Sequence, residues 1–349
     1  MTIKIGNHII GEDNKVFIIA ELSANHNQQF DLAIDSIKAI KECGADAVKL
    51  QTYTADTLTL DSDKDHFKIK QGTIWDGTTL YELYKQAFTP WEWQPKLKRF
   101  AEDIGLICFS SPFDKSAVDF LEKMDVPAYK IASFEIVDIP LIEYTASKGK
   151  PIIISTGIAT EEEIQDAIDA CVRMGNNRIA LLKCTSEYPT PIEDANLMMI
   201  PALAKKFNTV VGLSDHTLGI TVPIAAVAVG ARIIEKHFIL DRQIGGPDSS
   251  FSLEAREFKE MVNEIRQVEL ALGSVNFEIT GKTKNSRTFA RSLFVVKDIS
   301  AGEFFTEENV RSIRPAMGIA PKYFNEIIGK KAARNIERGT PLSWDLIEQ

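Results

Sequence analysis

The chain has 349 residues, 44% hydrophobic and 26% charged, with a formal net charge of -9. That length exceeds the size at which a single core usually stops growing, so one large domain with a smaller companion is expected. The acidic balance excludes a phosphate-backbone binder, which needs a basic face to displace counterions, so no nucleic-acid partner is expected.

No apolar run approaches the roughly 20 residues of a membrane helix. The stretch from Met1 to Gly11 alternates apolar and polar residues and lacks the basic start and long apolar core of a secretory signal. Both observations predict a cytoplasmic protein with no membrane partner. Cys43, Cys108, Cys171 and Cys184 are far apart, without paired metal-knuckle spacing, and are expected to be reduced and mostly buried.

From Val16 onward, apolar β-rich runs alternate with amphipathic helical stretches, the pattern of a parallel sheet with crossover helices. The strands are expected over Val16–Ala20, Ala47–Gln51, Leu106–Ser110, Ala128–Ala132, Pro151–Ser155, Ile179–Cys184, Thr209–Leu213 and Ala231–Lys236. Helical patterns include Asp31–Cys43, Trp91–Ile104, Lys115–Met124, Glu161–Met174 and Leu218–Val229, with a closing helix over Leu253–Leu272. Eight units within about 270 residues match an α/β fold of the (β/α)8 TIM-barrel type, whose typical size is ~250 residues. The near-continuous apolar strands agree with burial on both faces. A dinucleotide-binding sheet is disfavoured, because Glu21-Leu22-Ser23-Ala24-Asn25-His26 replaces the Gly-rich turn after the first strand. The insertion Thr52–Thr89 reads as a lid over the strand ends. The barrel is expected over 1–275, a linker over 276–288 on the polar run Thr280–Thr288, and a small domain over 289–349.

In barrels of this type chemistry lies at the carboxyl ends of the strands. Polar residues gather there: Glu21, Asn25 and His26; Lys49 and Gln51; Lys130, Ser133 and Glu135; Ser155-Thr156-Gly157; Lys183, Thr185 and Ser186; Ser214-Asp215-His216; Glu235-Lys236-His237. Alternation along a strand puts Lys49 with Gln51, Ser214 with His216, and Glu235 with His237 on shared faces. Two histidines on neighbouring strand ends, beside Glu235 and Asp248, predict a shared divalent ion more than two hydrogen-bonded core residues. His26 is a further candidate for that ion or for a substrate oxygen, whereas His8 and His66 lie outside the strands and read as surface residues. Lys49 and Lys130 are costly to bury alone. They read as anion-binding point charges, as a Schiff-base nucleophile, or as structural ion pairs with Glu21 or Glu135.

These motifs, in this order, resemble the sialic acid synthase family. The matching pieces are Ala20–His26, Val48–Gln51, Tyr129–Ser133, Ser155–Gly157, Cys184-Thr185-Ser186-Glu187-Tyr188-Pro189, Leu213–Thr217 and Glu235–Phe238. The tail resembles the antifreeze-like (SAF) domain that follows the barrel in that family, with Arg314–Gly318 as its substrate-reaching loop. The resemblance implies a transferase that condenses phosphoenolpyruvate with an amino-sugar aldehyde. It places a divalent metal, expected to be Mn²⁺ with Mg²⁺ or Co²⁺ as alternatives, on His216 and His237. It assigns phosphoenolpyruvate to Lys49, Lys130, Ser133, Ser155, Ser186 and Ser214. Sugar and proton handling go to Glu21, Tyr188, Glu235 and Asp248, with Glu21, Glu235, His237 and Asp248 as the catalytic set. Asn25, Gln51 and Glu135 join as substrate-binding candidates. It also implies a domain-swapped homodimer in which Arg314 acts across the interface. Within the family, Gly245–Leu253 and Trp75–Tyr81 look closest to the members that make pseudaminic acid. Ser249 and Ser186 stand where synthases of N-acetylneuraminate usually carry His and Asn. Synthesis of N-acetylneuraminate or legionaminic acid is the alternative, a Schiff-base aldolase the nearest rival enzyme, and a non-catalytic sugar binder the rival of another class.

Overall fold

The computed structural model describes residues 1–70 and 72–348. It begins with an antiparallel hairpin, β1 (Thr2–Ile5) and β2 (His8–Gly11), turning at Gly6 with φ of 57°. Ile3, Ile5 and Ile10 are buried in the same apolar cluster as the large sheet, and His8 packs edge-on against Phe17.

Eight parallel strands follow: β3 (Phe17–Glu21), β4 (Ala47–Thr52), β5 (Ile107–Pro112), β6 (Tyr129–Ile131), β7 (Ile152–Ser155), β8 (Ile179–Cys184), β9 (Val210–Asp215) and β10 (Ile233–Ile239). They pair in chain order, and β10 pairs with β3 as well as β9, so the sheet closes into a barrel. Every expected strand is present within one to three residues at each end. The largest difference is at β10, which runs on to Ile239, and β5 and β9 each extend two residues beyond the expected end, to Pro112 and Asp215. The polar ends of β9 and β10 stop the apolar pattern but not the backbone ladder, because Glu235 still pairs with Ser214 and Lys236 with Asp215.

The connecting helices begin where local chemistry allows. Pro95 sits in the first turn of Gln94–Asp103, which therefore starts three residues after Trp91. The closing helix is Ala255–Leu272, preceded by a two-residue strand, β11 (Leu253–Glu254), that pairs with β10; Glu254 and Glu257 form the capping box that sets this start. The insertion after β4 carries two helices that periodicity did not single out, Ala55–Leu58 and Leu80–Ala87, each capped by a threonine. All four cysteines are free and buried, and no helix of the described residues is long and apolar enough to cross a membrane.

The chain divides into two compact units, Met1–Gly273 and Ser274–Gln349. The second has its own core, including Leu293, Val295, Phe305, Val310 and Leu342. It is built on an antiparallel pair, β12 (Ser292–Val295) and β13 (Val310–Ile313), and single bridges such as Ile299–Ile336. A short exposed helix, Gly281–Arg287, occupies most of the stretch read as a linker.

Candidate active site

The parallel register brings the polar strand ends into one ring. Glu21 of β3 is the partner of Lys49 on β4 and of His237 on β10, while Ser214 of β9 is the partner of Glu235 on β10 and of Cys184 on β8. The inward-pointing side chains of these strands meet in a charged network. Nζ of Lys49 lies 2.9 Å from Oε2 of Glu21 and 3.1 Å from Oε1 of Glu235. Lys130 reaches the same Glu235 oxygen at 3.1 Å, and the Ser214 hydroxyl donates to it at 3.0 Å.

Burial and pairing set the charges of these groups. Burial alone pushes the Lys49 ammonium down, but Glu21 and Glu235 together hold it above the ordinary lysine range. Burial likewise works against ionisation of Glu235, yet Lys130 and Lys49 hold its carboxyl well below the usual range. Lys130 is pushed down by burial, partly offset by Glu235, and Glu21 is pushed up by burial against the pull of Lys49. Glu135 is pushed up to about 7 by burial. One cluster thus holds an anion locked between two cations beside a carboxyl, Glu135, that takes up a proton near neutral pH, and a second, Glu21, whose proton affinity burial also raises.

Around this network, Nε2 of Gln51 donates to Glu21 and to Ser23, both at 3.1 Å, and the Ser23 hydroxyl donates to Asp248. Asn25 donates to the Phe238 carbonyl and to the Ser252 hydroxyl at 2.8 Å, tying the β3 loop to the β10 loop. The Ser133 and Ser186 hydroxyls are 2.6 Å apart, and a Cβ added to Gly157 would strike both. A side chain at 157 would therefore displace these hydroxyls, which Gly157 leaves in place. Among the described residues, Oδ1 of Asn25, Oε2 of Glu135, Oγ of Ser155, Oε2 of Glu235 and Nδ1 of His237 are buried without a hydrogen-bond partner. Buried polar atoms are rarely left unpaired, so this concentration of free donors and acceptors marks a place built for a polar ligand.

His216 and His237 face one another with ring centroids 5.3 Å apart. Nδ1 of His216 is 3.0 Å from the Thr185 carbonyl, which fixes the ring, and Nδ1 of His237 is 3.8 Å from Asp248. No group of three or more His, Cys, Asp and Glu among the described residues is arranged as a metal set. Two imidazoles, one of them with an unpaired buried nitrogen, fit part of a divalent ion's shell and leave its remaining positions to water and substrate.

The other sequence candidates are distributed as follows. His26 is 2.9 Å from the Thr89 hydroxyl and edge-on to Trp93, and burial pushes its pKa to about 4, so it stands as a neutral support at the base of the insertion. Lys183 donates to the Cys184 carbonyl and the Thr185 hydroxyl. Arg314 is exposed in the second unit. Sequence reasoning gave no site role to Ser23, Trp75 or Phe251, although the last two lie in the stretches that look closest to the members making pseudaminic acid. The Trp75 indole N–H donates to the Pro247 carbonyl at 3.0 Å and its ring leans on Tyr188, whose centroid is 4.4 Å from that of His216. Phe251 lies 4.9 Å from His237 and 5.5 Å from Tyr188. Only the position of Ser23 at a strand end, and the aromatic residues in long strand-end loops, signalled these in the sequence.

The NeuB family model matches residues 36–277, and the SAF domain model matches residues 290–348. The chain belongs to the NeuB family. It is 52% identical to the pseudaminic acid synthase of Campylobacter jejuni subsp. jejuni serotype O:23/36, over 97% of this chain and 98% of that protein. It is 53% identical to the pseudaminic acid synthase of Helicobacter pylori, over 95% and 98%. Among solved structures, the N-acetylneuraminic acid synthetase of Leptospira borgpetersenii superposes with a TM-score of 0.74 at 32% identity, covering 82% of this chain and 95% of that one. The sialic acid synthase resemblance and the barrel followed by an SAF domain are thereby borne out.

Proposed function

We propose that this NeuB-family enzyme condenses phosphoenolpyruvate with 2,4-diacetamido-2,4,6-trideoxy-L-altrose, giving pseudaminic acid and phosphate. The observation that carries the reading is identity above one half, over nearly the whole chain, to two pseudaminic acid synthases. The site chemistry supports it.

Lys49 and Lys130, with the Ser133–Ser186 pair, Ser155 and Ser214, offer cations and hydroxyls for the carboxylate and phosphate of phosphoenolpyruvate. C3 of phosphoenolpyruvate forms a bond to the sugar aldehyde carbon, whose oxygen takes up a proton. Water then adds at C2, and phosphate departs with cleavage of the C2–O bond. Glu235, held ionised between two ammonium groups, is a poor proton acceptor and keeps the lysines in place. Glu21 and Asp248, both raised by burial, are the carboxyls that carry protons at the sugar. Asn25, Gln51, Glu135 and Tyr188 line the sugar's place. His216 and His237 would hold a divalent ion, Mn²⁺ by preference, which when bound polarises the aldehyde carbonyl. At Lys49 a Schiff-base route is disfavoured, because Glu21 and Glu235 hold its ammonium above the ordinary lysine range and an ammonium is not a nucleophile. The working form is a cytoplasmic homodimer in which Arg314 of one copy serves the barrel of the other.

The deciding experiment incubates the enzyme with phosphoenolpyruvate, Mn²⁺ and one of a panel of amino-sugar aldehydes, following phosphate and the product mass. Phosphate release only with both substrates present, fastest with the altrose derivative, is expected. Equal or faster turnover of N-acetylmannosamine, or of the legionaminic acid precursor, would overturn the substrate assignment. Phosphate release without any sugar would overturn the reaction class.

A further inference from the structure

Side chains alternate along β9 and β10. Ser214 and His216 turn into the pocket with Glu235 and His237, so Asp215 and Lys236 turn to the opposite face of the barrel wall. Both are buried there, Lys236 completely. Nζ of Lys236 donates to Oδ2 of Asp215 at 2.5 Å and to the Thr217 carbonyl. Thr217 in turn gives its backbone N–H to Oδ1 and its hydroxyl to Oδ2 of Asp215, each at 3.1 Å. The group is closed on itself, and the reaction scheme uses none of it.

Its place in the register is informative. Asp215 and Lys236 are partners in the β9–β10 ladder, as its last pair, and His216 and His237 each lie one residue beyond. β10 is held up to His237 by its pairing with Glu21 of β3. The end of β9 is held on its far side by the Thr190 N–H, which donates to the His216 carbonyl. On the side facing His237 the ladder stops at Asp215 and Lys236, and beyond that pair the Lys236 ammonium reaches across to the Thr217 carbonyl. An apolar pair of similar volume is commonly as stable as a buried ion pair or more so, so stability alone does not account for it.

We propose that Asp215 and Lys236 are positioning residues that set the separation of His216 and His237 for a shared divalent ion. This rests on the metal reading given above. A hydrogen-bonded charge pair has one geometry, whereas apolar side chains at the same place would let the two strand ends slide by fractions of an ångström. Such slack at the supports of metal ligands typically weakens metal affinity about 10- to 100-fold.

The test titrates Mn²⁺ into the full-length chain without substrates, reading free Mn²⁺ by its paramagnetic resonance signal, with melting temperature measured alongside. The double variant Asp215→Leu/Lys236→Met, which also leaves the Thr217 N–H, hydroxyl and carbonyl without these partners, should bind Mn²⁺ about 10- to 100-fold more weakly, with KM for phosphoenolpyruvate unchanged at saturating Mn²⁺. A purely structural role would move the melting temperature and leave Mn²⁺ affinity alone, and that result overturns the proposal. If the double variant does not fold, Asp215→Asn carries the comparison: it should weaken Mn²⁺ binding about ten-fold, and unchanged affinity there overturns the proposal equally. His216→Ala separates the two readings. Loss of Mn²⁺ binding in that variant, with full retention in the double variant, removes the positioning role alone, whereas a parent chain that binds no Mn²⁺ removes both.

Discussion

Oε1 of Glu235 lies 3.1 Å from Nζ of Lys130, and the two residues stand on β10 and β6, opposite one another in the eight-strand ring. The contact spans the barrel, and Lys49, which also pairs with Glu21, lies on the same oxygen, so Glu235 serves both buried cations. Removing one member of a buried pair costs about 3–5 kcal/mol, because the remaining charge is stranded. Glu235→Gln should therefore lower unfolding stability by that order in urea titrations. Phosphoenolpyruvate, itself an anion, should raise the variant's melting temperature more than the parent's. An equal ligand-induced rise in both would mean that the lysines do not face the phosphoenolpyruvate site.

His216→Ala and His237→Ala should each abolish condensation, since two protein ligands leave no redundancy in holding the ion. Mn²⁺ binding measured directly should be lost with the activity. Full turnover of either variant in the presence of chelator would remove the metal from both residues.

Arg314 belongs to the second unit, and its proposed role lies on the barrel of another copy. Arg314→Ala and Lys130→Ala should each be inactive alone, while a mixture whose subunits exchange recovers activity through sites that combine one intact barrel with one intact arginine. No recovery after exchange is verified by mass would remove the cross-subunit role of Arg314.

Trp75 closes an aromatic wall with Tyr188 and Phe251 beside the histidine pair. A buried hydroxyl without a partner at an apolar surface costs roughly 1–3 kcal/mol, about ten-fold to more than a hundred-fold in rate. Trp75→Ala should thus reduce the kcat/KM preference for the 6-deoxy sugar over N-acetylmannosamine about ten-fold or more, leaving KM for phosphoenolpyruvate as in the parent. An undiminished preference would put the sugar's C6 elsewhere.

Glu135 is pushed by burial from an ordinary 4.5 to about 7. A carboxyl with a raised folded-state pKa binds its proton more tightly in the folded protein than in the unfolded one. Its contribution to stability is therefore complete below about pH 4.5 and is lost as pH rises towards 7. Glu135→Gln should remove this decline, so the difference in melting temperature between variant and parent should grow from pH 4.5 to pH 7. A constant difference across that window would mean that Glu135 titrates as an ordinary carboxylate.

What the sequence by itself determined follows from local physics. Strands buried on both faces must be continuously apolar, so runs such as Ile152–Ser155 and Ile179–Cys184 are visible without knowing their neighbours. A change from apolar to polar at a strand's carboxyl end marks the pocket, which is how Glu21, Lys49, Lys130, His216, Glu235 and His237 could be named beforehand. Whole motifs at nearly every strand end also carried the family.

The tertiary structure decided which of those groups compensate one another, because partners such as Lys130 and Glu235 are 105 residues apart in sequence and no local pattern links them. It reported Glu21 and Glu235, not Glu135, as the direct carboxylate partners of the buried lysines, and gave His26 to Thr89 and Trp93. It also brought Trp75 from one loop onto Tyr188 and Pro247 from two others. Likewise, Asp215 and Lys236, one residue short of each histidine, turned out to be a closed ion pair on the far side of the wall. The reason is the same in each case: alternation along a strand tells which face a side chain takes, but only the closed ring of eight strands tells what it meets there.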